Sequence, residues 1–348
     1  MAARPDLNLR VGLRVSLLLP LLALVVMTAL MLGSVPVGPA DVMRALFHGS
    51  STAPDAEFRT AYIVIREVRL PRVLLAMGAG AALSLAGLLM QTVFRNPLAG
   101  PGVLGVGAGA SLGVALVVLS GLGAQLSSPS LFAALGGAGL VVAVIMAAHR
   151  VVDDPVVLLV LGLLFGYAAS ALTTLLMAAS PAAGLERYII WSFGSFALPP
   201  GAVQPALLFG VTGVAALLAL RGSHLDALLL GRAYAESSGV HARALQGSLL
   251  VIASVLTGIV TAYTGPISFV GVAVPHLARG YLRSSRHRVL VPATVLSGAV
   301  ITVLADLIAR VPGSGRVLPL NAVLALVGVP VVLVVVLKPG GSKDGVRL

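Results

Sequence analysis

Long apolar runs recur along almost the whole chain and limit what it can fold into. Apolar residues make up 58% of the 348 positions and charged residues 10%, against about 45–50% and about 25% in soluble domains. A helix that crosses a bilayer needs about 20 mostly apolar residues. The sequence therefore predicts a multi-span membrane protein, and excludes a soluble globular enzyme, a disordered chain and a disulfide-rich secreted domain.

The boundaries of these runs predict an all-α polytopic membrane protein with ten transmembrane helices. The predicted spans are 15–33, 73–94, 103–122, 130–148, 156–179, 202–220, 247–264, 267–282, 289–310 and 317–337. The span at 267–282 is short, and only Gly265 and Pro266 separate it from the span before it. Two helices joined by a tight turn fit this sequence better than one very long span. The first span follows three arginines, as the apolar part of a signal peptide follows its basic end. Its length of 19 residues favours a helix that is retained in the mature protein.

The positions of lysine and arginine predict how the chain lies in the membrane. Ten spans place both termini on one side, and cytoplasmic termini agree with the positive-inside rule. In that orientation 15 basic residues are cytoplasmic, namely Arg4, Arg10, Arg14, Arg95, Arg150, Arg221, Arg232, Arg243, Arg279, Arg283, Arg286, Arg288, Lys338, Lys343 and Arg347. Eight are outside, namely Arg44, Arg59, Arg66, Arg69, Arg72, Arg187, Arg310 and Arg316. The cytoplasmic parts are a tail at 1–14, a polar segment at 221–246 and a tail at 338–348.

The chain lacks residues for an energy source of its own. It has no phosphate-binding G-x-x-x-x-G-K-[ST] loop, no cysteine and no metal-ligand spacing, so we predict no catalytic residue, metal or cofactor. Its spans contain few ionisable groups. We interpret Asp306 as the partner of Arg310, four residues on, and His276 as a hydrogen-bonded packing residue. A carrier driven by an ion gradient remains the alternative to a pump powered by another chain, although acidic residues at mid-membrane are missing.

Glycine is unusually frequent inside the predicted spans, with examples at Gly80, Gly87 and Gly109. Small residues let membrane helices approach closely. The glycines could serve tight helix packing or line an interface that moves, and the sequence alone leaves both interpretations open. The segment 100–106 is also similar to 265–272. The span count places these two segments at opposite membrane faces, as an inverted repeat would.

Four segments in sequence order identify a family. They are Arg69-Leu70-Pro71-Arg72 with Gln91 and Asn96-Pro97-Leu98-Ala99-Gly100-Pro101; Leu230-Gly231-Arg232 to His241; Gly265-Pro266-Ile267-Ser268-Phe269 with Pro275-His276-Leu277-Ala278-Arg279; and Ala305-Asp306-Leu307-Ile308-Ala309-Arg310 with Leu318-Pro319. Together they resemble the FecCD-type permeases, which are membrane subunits of type II ABC importers for iron–siderophores, haem and cobalamin. The resemblance extends from about residue 15 to 338.

The resemblance implies a single permease domain over 1–348 in the inner membrane of a prokaryote, working by alternating access. Its expected partners are a second permease (identical or related), two cytoplasmic ATPases that hydrolyse ATP in its place, a periplasmic or lipid-anchored binding protein and membrane lipid, with no nucleic acid. Iron–siderophore is the first substrate expected from the family, with haem and cobalamin open.

The resemblance also implies roles for individual residues. Arg69, Arg72 and Arg310 are expected to dock the binding protein, since arginine pairs well with carboxylates. Coupling to the ATPase is expected at Leu230, Gly231, Glu236, Ser237, Ser238, Gly239 and Val240. A translocation pathway or gate is expected at Gln91, Asn96, Pro97, Gly105 and Gly109. Two departures from the family pattern are Arg232, where an acidic residue is usual, and the run Arg316-Val317-Leu318-Pro319, where the family commonly shows Glu-Leu-Pro and the glutamate is missing.

Overall fold

The computed structural model describes residues 5–47, 56–120, 129–152, 154–197, 204–220, 222–310 and 317–337. Within these ranges every regular element is a helix and none is a strand, which confirms the all-α prediction. The helices are α1 (Pro5–Met31), α2 (Pro39–Phe47), α3 (Ala56–Ile63), α4 (Leu70–Phe94), α5 (Val106–Leu119), α6 (Pro129–Val151), α7 (Pro155–Ala178), α8 (Ala182–Ser192), α9 (Gln204–Ala219), α10 (Gly222–Leu229), α11 (Arg232–Ser237), α12 (Ala242–Thr264), α13 (Val270–Leu282), α14 (His287–Ala309) and α15 (Leu320–Leu337). A π-helical turn spans Val64–Arg69 and a 3₁₀ turn spans Pro101–Leu104.

Each of the ten predicted spans contains a helix, but the helices differ in length. Among the described residues six are long and apolar enough to cross a membrane, and a seventh is obtained if α9 and α10, bent by 67°, form one span. The apolar helices α5 and α15 are shorter. Helix α13 has 13 residues, about 20 Å of helix against a hydrocarbon core of about 30 Å. Ten crossings and cytoplasmic termini therefore remain predictions.

The structure corrects the boundaries of the first two spans. Residues from Pro5 onward already belong to α1, so most of the expected tail at 1–14 is helical, and the tail at 338–348 lies outside the described residues. The second helical run begins at Ala56, not at residue 73, and continues to Phe94 through the π-helical turn. The error has a simple cause, because arginine ends the apolar run but is itself a good helix former.

The π-helical turn lies just before Pro71. Proline has no N–H, and its ring collides with the carbonyl of the residue four positions earlier. Widening of the preceding turn relieves that collision, and such turns change the direction in which neighbouring side chains point. Three arginines at intervals of three residues (Arg66, Arg69 and Arg72) consequently reach three different partners, described below.

Helix α4 forms the centre of the molecule and is buried over most of its length. It packs against α9, α12, α13 and α14. Glycine pairs allow the closest of these contacts: the backbone of Gly80 touches that of Gly298 in α14, and Gly87 touches Gly271 in α13. A Cβ atom at either α4 position would overlap the neighbouring carbonyl. For these glycines the structure supports the packing interpretation.

The two similar Gly-Pro segments do not lie apart on opposite faces, as the span count had placed them. A Cβ on Gly100 would contact Val272, and one on Gly271 would contact Pro101. The start of the first segment therefore meets the end of the second. The reason is that the first turn of α13 packs against α4, where Gly271 meets Gly87.

Helix α7 begins with an N-terminal cap and then runs along the surface. The Asp154 carboxylate accepts a hydrogen bond from Val156 N at 2.8 Å, and Pro155 occupies the first helical position, where a missing N–H costs nothing. Only four residues of α7 are buried. Large apolar side chains such as Leu164, Leu172 and Leu175 are more than half exposed. In a membrane protein this face needs lipid or another subunit to cover it.

Candidate functional site: an arginine cluster, a coupling segment and the contacts between them

Asp306 joins two of the three predicted docking arginines. Its carboxylate accepts hydrogen bonds from Arg72 Nε at 2.9 and 3.1 Å, and Arg72 Nη2 lies 2.9 Å from Oδ1. Arg310 Nε lies 3.2 Å from Oδ2. The predicted pair between Asp306 and Arg310 is confirmed, and the structure adds Arg72 from α4 as a second partner. One buried carboxylate thus holds together the ends of α4 and α14.

Arg69 has a different environment from Arg72. It is only 4% exposed and donates to the carbonyls of Leu30 (2.6 Å), Met31 (3.0 Å) and Val35. The carbonyls of Leu30 and Met31 end α1, where backbone oxygens lack helical partners and the helix dipole is negative, and Val35 lies in the segment that follows. Arg310 assists there by donating to Ala29 O at 3.3 Å. Arg69 therefore caps α1.

Capping of helix ends by arginine recurs elsewhere in the molecule. Arg66 donates to Ala45 O and Leu46 O in the last turn of α2, at 2.8 and 2.7 Å. Arg14 reaches the last two carbonyls of α13, both at 3.2 Å, and Arg243 reaches the last turn of α6. Several of the arginines that the sequence analysis assigned to membrane orientation or docking therefore also cap the C-terminal ends of helices.

Docking of a binding protein on these arginines stays a prediction. The side chains of Arg72 and Arg310 are 15% and 12% exposed, so their outer edges are accessible to a partner. Arg69 is not accessible in this arrangement, and a direct contact would require it to leave the α1 carbonyls. The sequence could not separate these cases, because an arginine that caps a helix and one that faces a partner look alike.

The predicted coupling segment forms two short helices and a tight turn. Gly231, at φ +115°, separates α10 from α11, and Gly239, at φ +81°, follows α11. Only glycine adopts such backbone angles readily. Ala235 is fully buried and its carbonyl accepts from Val240 N at 2.9 Å, which closes the turn. Leu230, Gly231 and Val240 pack inward, whereas Glu236, Ser237, Ser238 and Gly239 are exposed together.

Arg232 occupies the position where the family usually has an acidic residue. Its Nε lies 2.8 Å from Glu236 Oε1, one helical turn along. The departure therefore places an ion pair on the exposed surface of α11. At the other departure, Val317 stands before Leu318-Pro319 in place of the usual glutamate and is exposed, while Arg316 lies outside the described residues.

A buried histidine connects the coupling segment to the helical core. His287 is fully buried at the start of α14. Its backbone N donates to Asp226 Oδ1 in α10 at 3.0 Å, and its Nδ1 lies 2.6 Å from the same oxygen. Its Nε2 lies 2.8 Å from Thr92 Oγ1 in α4. Sequence reasoning missed these three residues, because an isolated Asp, His and Thr far apart in the chain carry no recognisable spacing.

The predicted pathway residues have separate environments. Gln91 is buried, donates to Val272 O at 3.3 Å and accepts from Arg279 at 2.5 Å. The Asn96 side chain accepts from Leu98 N at 2.9 Å and shapes the turn after α4. The backbone carbonyl of Pro97 accepts from His276 Nε2 at 2.8 Å, which confirms that His276 is a hydrogen-bonded packing residue.

The two glycines assigned to the pathway lie in helix contacts. Gly105, at φ +74°, ends the 3₁₀ turn and meets the backbone of α7 at Gly162, while Gly109 packs against Gly137 of α6. Their role in a pathway stays a prediction. Among the described residues no group of three or more His, Asp or Glu side chains is arranged to hold a metal ion.

Comparison with known proteins agrees with this architecture. The FecCD transport family matches residues 21–338. Vitamin B12 import system permease proteins BtuC are 34% identical over 280 residues in Citrobacter koseri (79% of this chain, 83% of that protein) and 37% identical over 272 residues in Vibrio cholerae (77% and 81%). A solved structure described as an inward-facing conformation of a metal-chelate type ABC transporter superposes with a TM-score of 0.79 at 26% identity, covering 94% of this chain and 99% of that one. The chain therefore belongs to the FecCD transport family and is a permease of the ABC importer type.

Proposed function

We propose that this chain forms the membrane pathway of a binding-protein-dependent importer for a bulky metal chelate, working by alternating access. The observation that carries the proposal is the coupling segment, an exposed turn at Glu236–Gly239 that is tied to α4 and α14 through His287. A movement imposed on the turn from the cytoplasmic side would pass through α10, which packs against α11, and then through Asp226 and His287 to the central helix α4. ATP binding and hydrolysis by two cytoplasmic partner subunits would supply that movement.

The pathway is proposed to lie at a two-fold axis between two permeases, each with ten crossings and cytoplasmic termini. Helix α7, with its long exposed apolar face and an exposed Tyr167, is a surface that a second permease would cover. Small residues of α5 pack behind it. Bulky chelates pass more easily along weakly adhesive apolar and small side chains than along a charged channel.

Coupling at the exposed turn can be tested by adding bulk there. Ser238 is exposed and lies between α11 and Gly239, so Ser238→Trp obstructs a partner's groove without entering the core. We expect vanadate-sensitive uptake to be lost while the protein remains inserted and its ATPase partners hydrolyse ATP without transport. Ser285→Trp, at an exposed serine between α13 and α14, is the matched control. Normal uptake by the Ser238 variant would show that the turn does not contact the ATPase.

Docking is proposed on the accessible edges of Arg72 and Arg310, with Arg69 supporting them through α1. Arg72→Gln is expected to weaken association with the binding protein and to reduce its dependence on salt, because the positive charge at this accessible edge is removed. Arg187→Gln, at an exposed arginine with a local contact to Ala183, serves as control. Thermal unfolding of both variants separates a docking defect from a loss of stability. Unchanged association with altered stability would leave Arg72 with a structural role alone.

Cobalamin is the substrate we now place first, ahead of the iron–siderophore that the family resemblance had suggested. The support is the naming of the similar permeases, together with coverage of more than three quarters of each chain. Iron–siderophores and haem are the alternatives, supported by the metal-chelate type structure. Uptake of labelled cobalamin, ferric siderophore and haem by a strain that lacks the gene, with and without vanadate, distinguishes them. Uptake that is insensitive to vanadate and abolished by dissipating the ion gradient would favour a secondary carrier instead.

A further inference from the structure

A groove of about 950 Å³ lies beside the coupling turn, between the C-terminal end of α6 and the first turns of α12. Apolar and small residues line its deeper part, among them Met146, Gly247 and Val251. Val251 is nine residues into α12, about 14 Å along the helix axis. The groove therefore extends from the end of two membrane-length helices well into the apolar zone.

The open end of the groove is basic. Arg150 and His241 are exposed there. Arg243 donates to the carbonyls of His149 and Arg150 at 3.2 and 2.7 Å and holds the end of α6 against α12. Glu236 is the acidic residue among the described residues of the lining, and its carboxylate is engaged by Arg232 on the neighbouring turn. The charge facing the groove is therefore positive.

The order of these features along the membrane normal selects the kind of ligand. A basic rim at the end of the spans, followed by an apolar groove that extends along α12 as far as Val251, complements a molecule with an anionic head and a hydrocarbon chain. Free phosphate would use the rim alone, and an acidic protein surface would not enter the apolar part. Basic pockets between helices on the cytoplasmic side are suited to anionic lipid headgroups.

We propose that this groove binds an anionic phospholipid of the cytoplasmic leaflet. Its phosphodiester lies at Arg150 and His241, and one acyl chain lies along Met146, Gly247 and Val251. The bound lipid also contacts the turn at Gly239, so the composition of the leaflet acts on the segment that we assign to coupling. The proposal rests on the cytoplasmic placement of that segment in the proposed function.

Fluorescence quenching tests the proposal on the full-length chain. Because the protein contains no cysteine, Ser248→Cys at the groove can carry a single fluorophore. The labelled chain is reconstituted in phosphatidylcholine, and brominated phosphatidylglycerol or brominated phosphatidylcholine is added. We expect phosphatidylglycerol to quench at a lower mole fraction. Arg150→Ala should raise that mole fraction about fivefold, whereas Arg288→Ala, at an exposed arginine away from the groove, should leave it unchanged.

Several results would overturn the lipid site. Equal quenching by both lipids, or no effect of Arg150→Ala in a variant with unchanged thermal unfolding, would remove the headgroup contact. Displacement of the brominated lipid by soluble glycerol phosphate would assign the rim to a free phosphate. Protection of the fluorophore from every lipid on addition of the ATPase subunits would assign the groove to that protein. Vanadate-sensitive uptake in the same vesicles is measured in parallel, so that failure of the lipid site is distinguished from failure of the importer function.

Discussion

Removal of the Asp306 carboxylate should destabilise the protein more than removal of any exposed acid. Asp306→Ala leaves the guanidinium groups of Arg72 and Arg310, 15% and 12% exposed, without their shared counter-charge. Breaking a buried ion pair from one side costs about 3–5 kcal/mol. Because Arg310 keeps backbone carbonyls of α1 as partners, we expect the lower end, about 3 kcal/mol. That is a factor of roughly 150 in the unfolding equilibrium, since about 1.4 kcal/mol is tenfold.

Reversible unfolding of the purified chain by SDS titration, or its thermal unfolding in detergent, measures this loss. Glu67→Ala removes an exposed carboxylate from the π-helical turn near Arg72 and should change stability by about 0.5 kcal/mol or less. An apolar replacement of the whole cluster, with Met at 72 and 310 and Leu at 306, should recover most of the loss, because no charge is then left unpaired. If Asp306→Ala behaves like Glu67→Ala, Asp306 does not hold α4 and α14 together. If the triple replacement is worse than the single variant, the network stabilises the fold in its own right.

Three further outcomes are expected. Gly87→Ala places a methyl group against the Gly271 carbonyl and should lower stability by about 1–3 kcal/mol, whereas Gly107→Ala, with open space around it, should not, as thermal unfolding will show. His287→Ala removes the link from α10 to α4 and should cost about 2–3 kcal/mol and lower the number of substrates transported per ATP hydrolysed; an unchanged ratio would contradict a role in coupling. Arg66→Ala should increase hydrogen exchange in α2 without affecting α6, and equal exchange in both would refute the capping assignment.

Sequence patterns predicted the helical class, and each of the ten predicted spans contains a helix, because long apolar runs indicate helices that are not surrounded by water. They failed at boundaries where charge and helix propensity disagree. Residues 56–72 carry several arginines and read as a loop, yet they are helical. The sequence patterns also predicted a span of 16 residues at 267–282, whereas helix α13 has 13 residues. Pro275 and the Gly-Pro turn before it do not determine the residue at which this helix begins.

Local spacing likewise predicted one contact of the outer cluster and not the others. The pair of Asp306 with Arg310 follows from their spacing, because residues four positions apart lie on the same face of a helix. Arg72 reaches the same carboxylate from α4, 234 residues away in the chain, and Arg69 reaches the end of α1 across 39 residues. No periodicity contains that information, because it depends on which helix ends meet.

The sequence by itself determined that the chain is a helical membrane protein of the FecCD family, with a polar segment at 221–246 and an excess of arginine. Only the tertiary structure decided what the arginines do. Helix ends carry carbonyls without helical partners; the packing brings these carbonyls and one buried carboxylate within reach of guanidinium groups, whose five donors satisfy both. The same packing placed His287 between α10 and α4, and Arg150 and His241 at the mouth of a groove. A count of charged residues cannot distinguish the roles of these arginines and histidines, because the roles depend on the groups that surround each side chain in the fold.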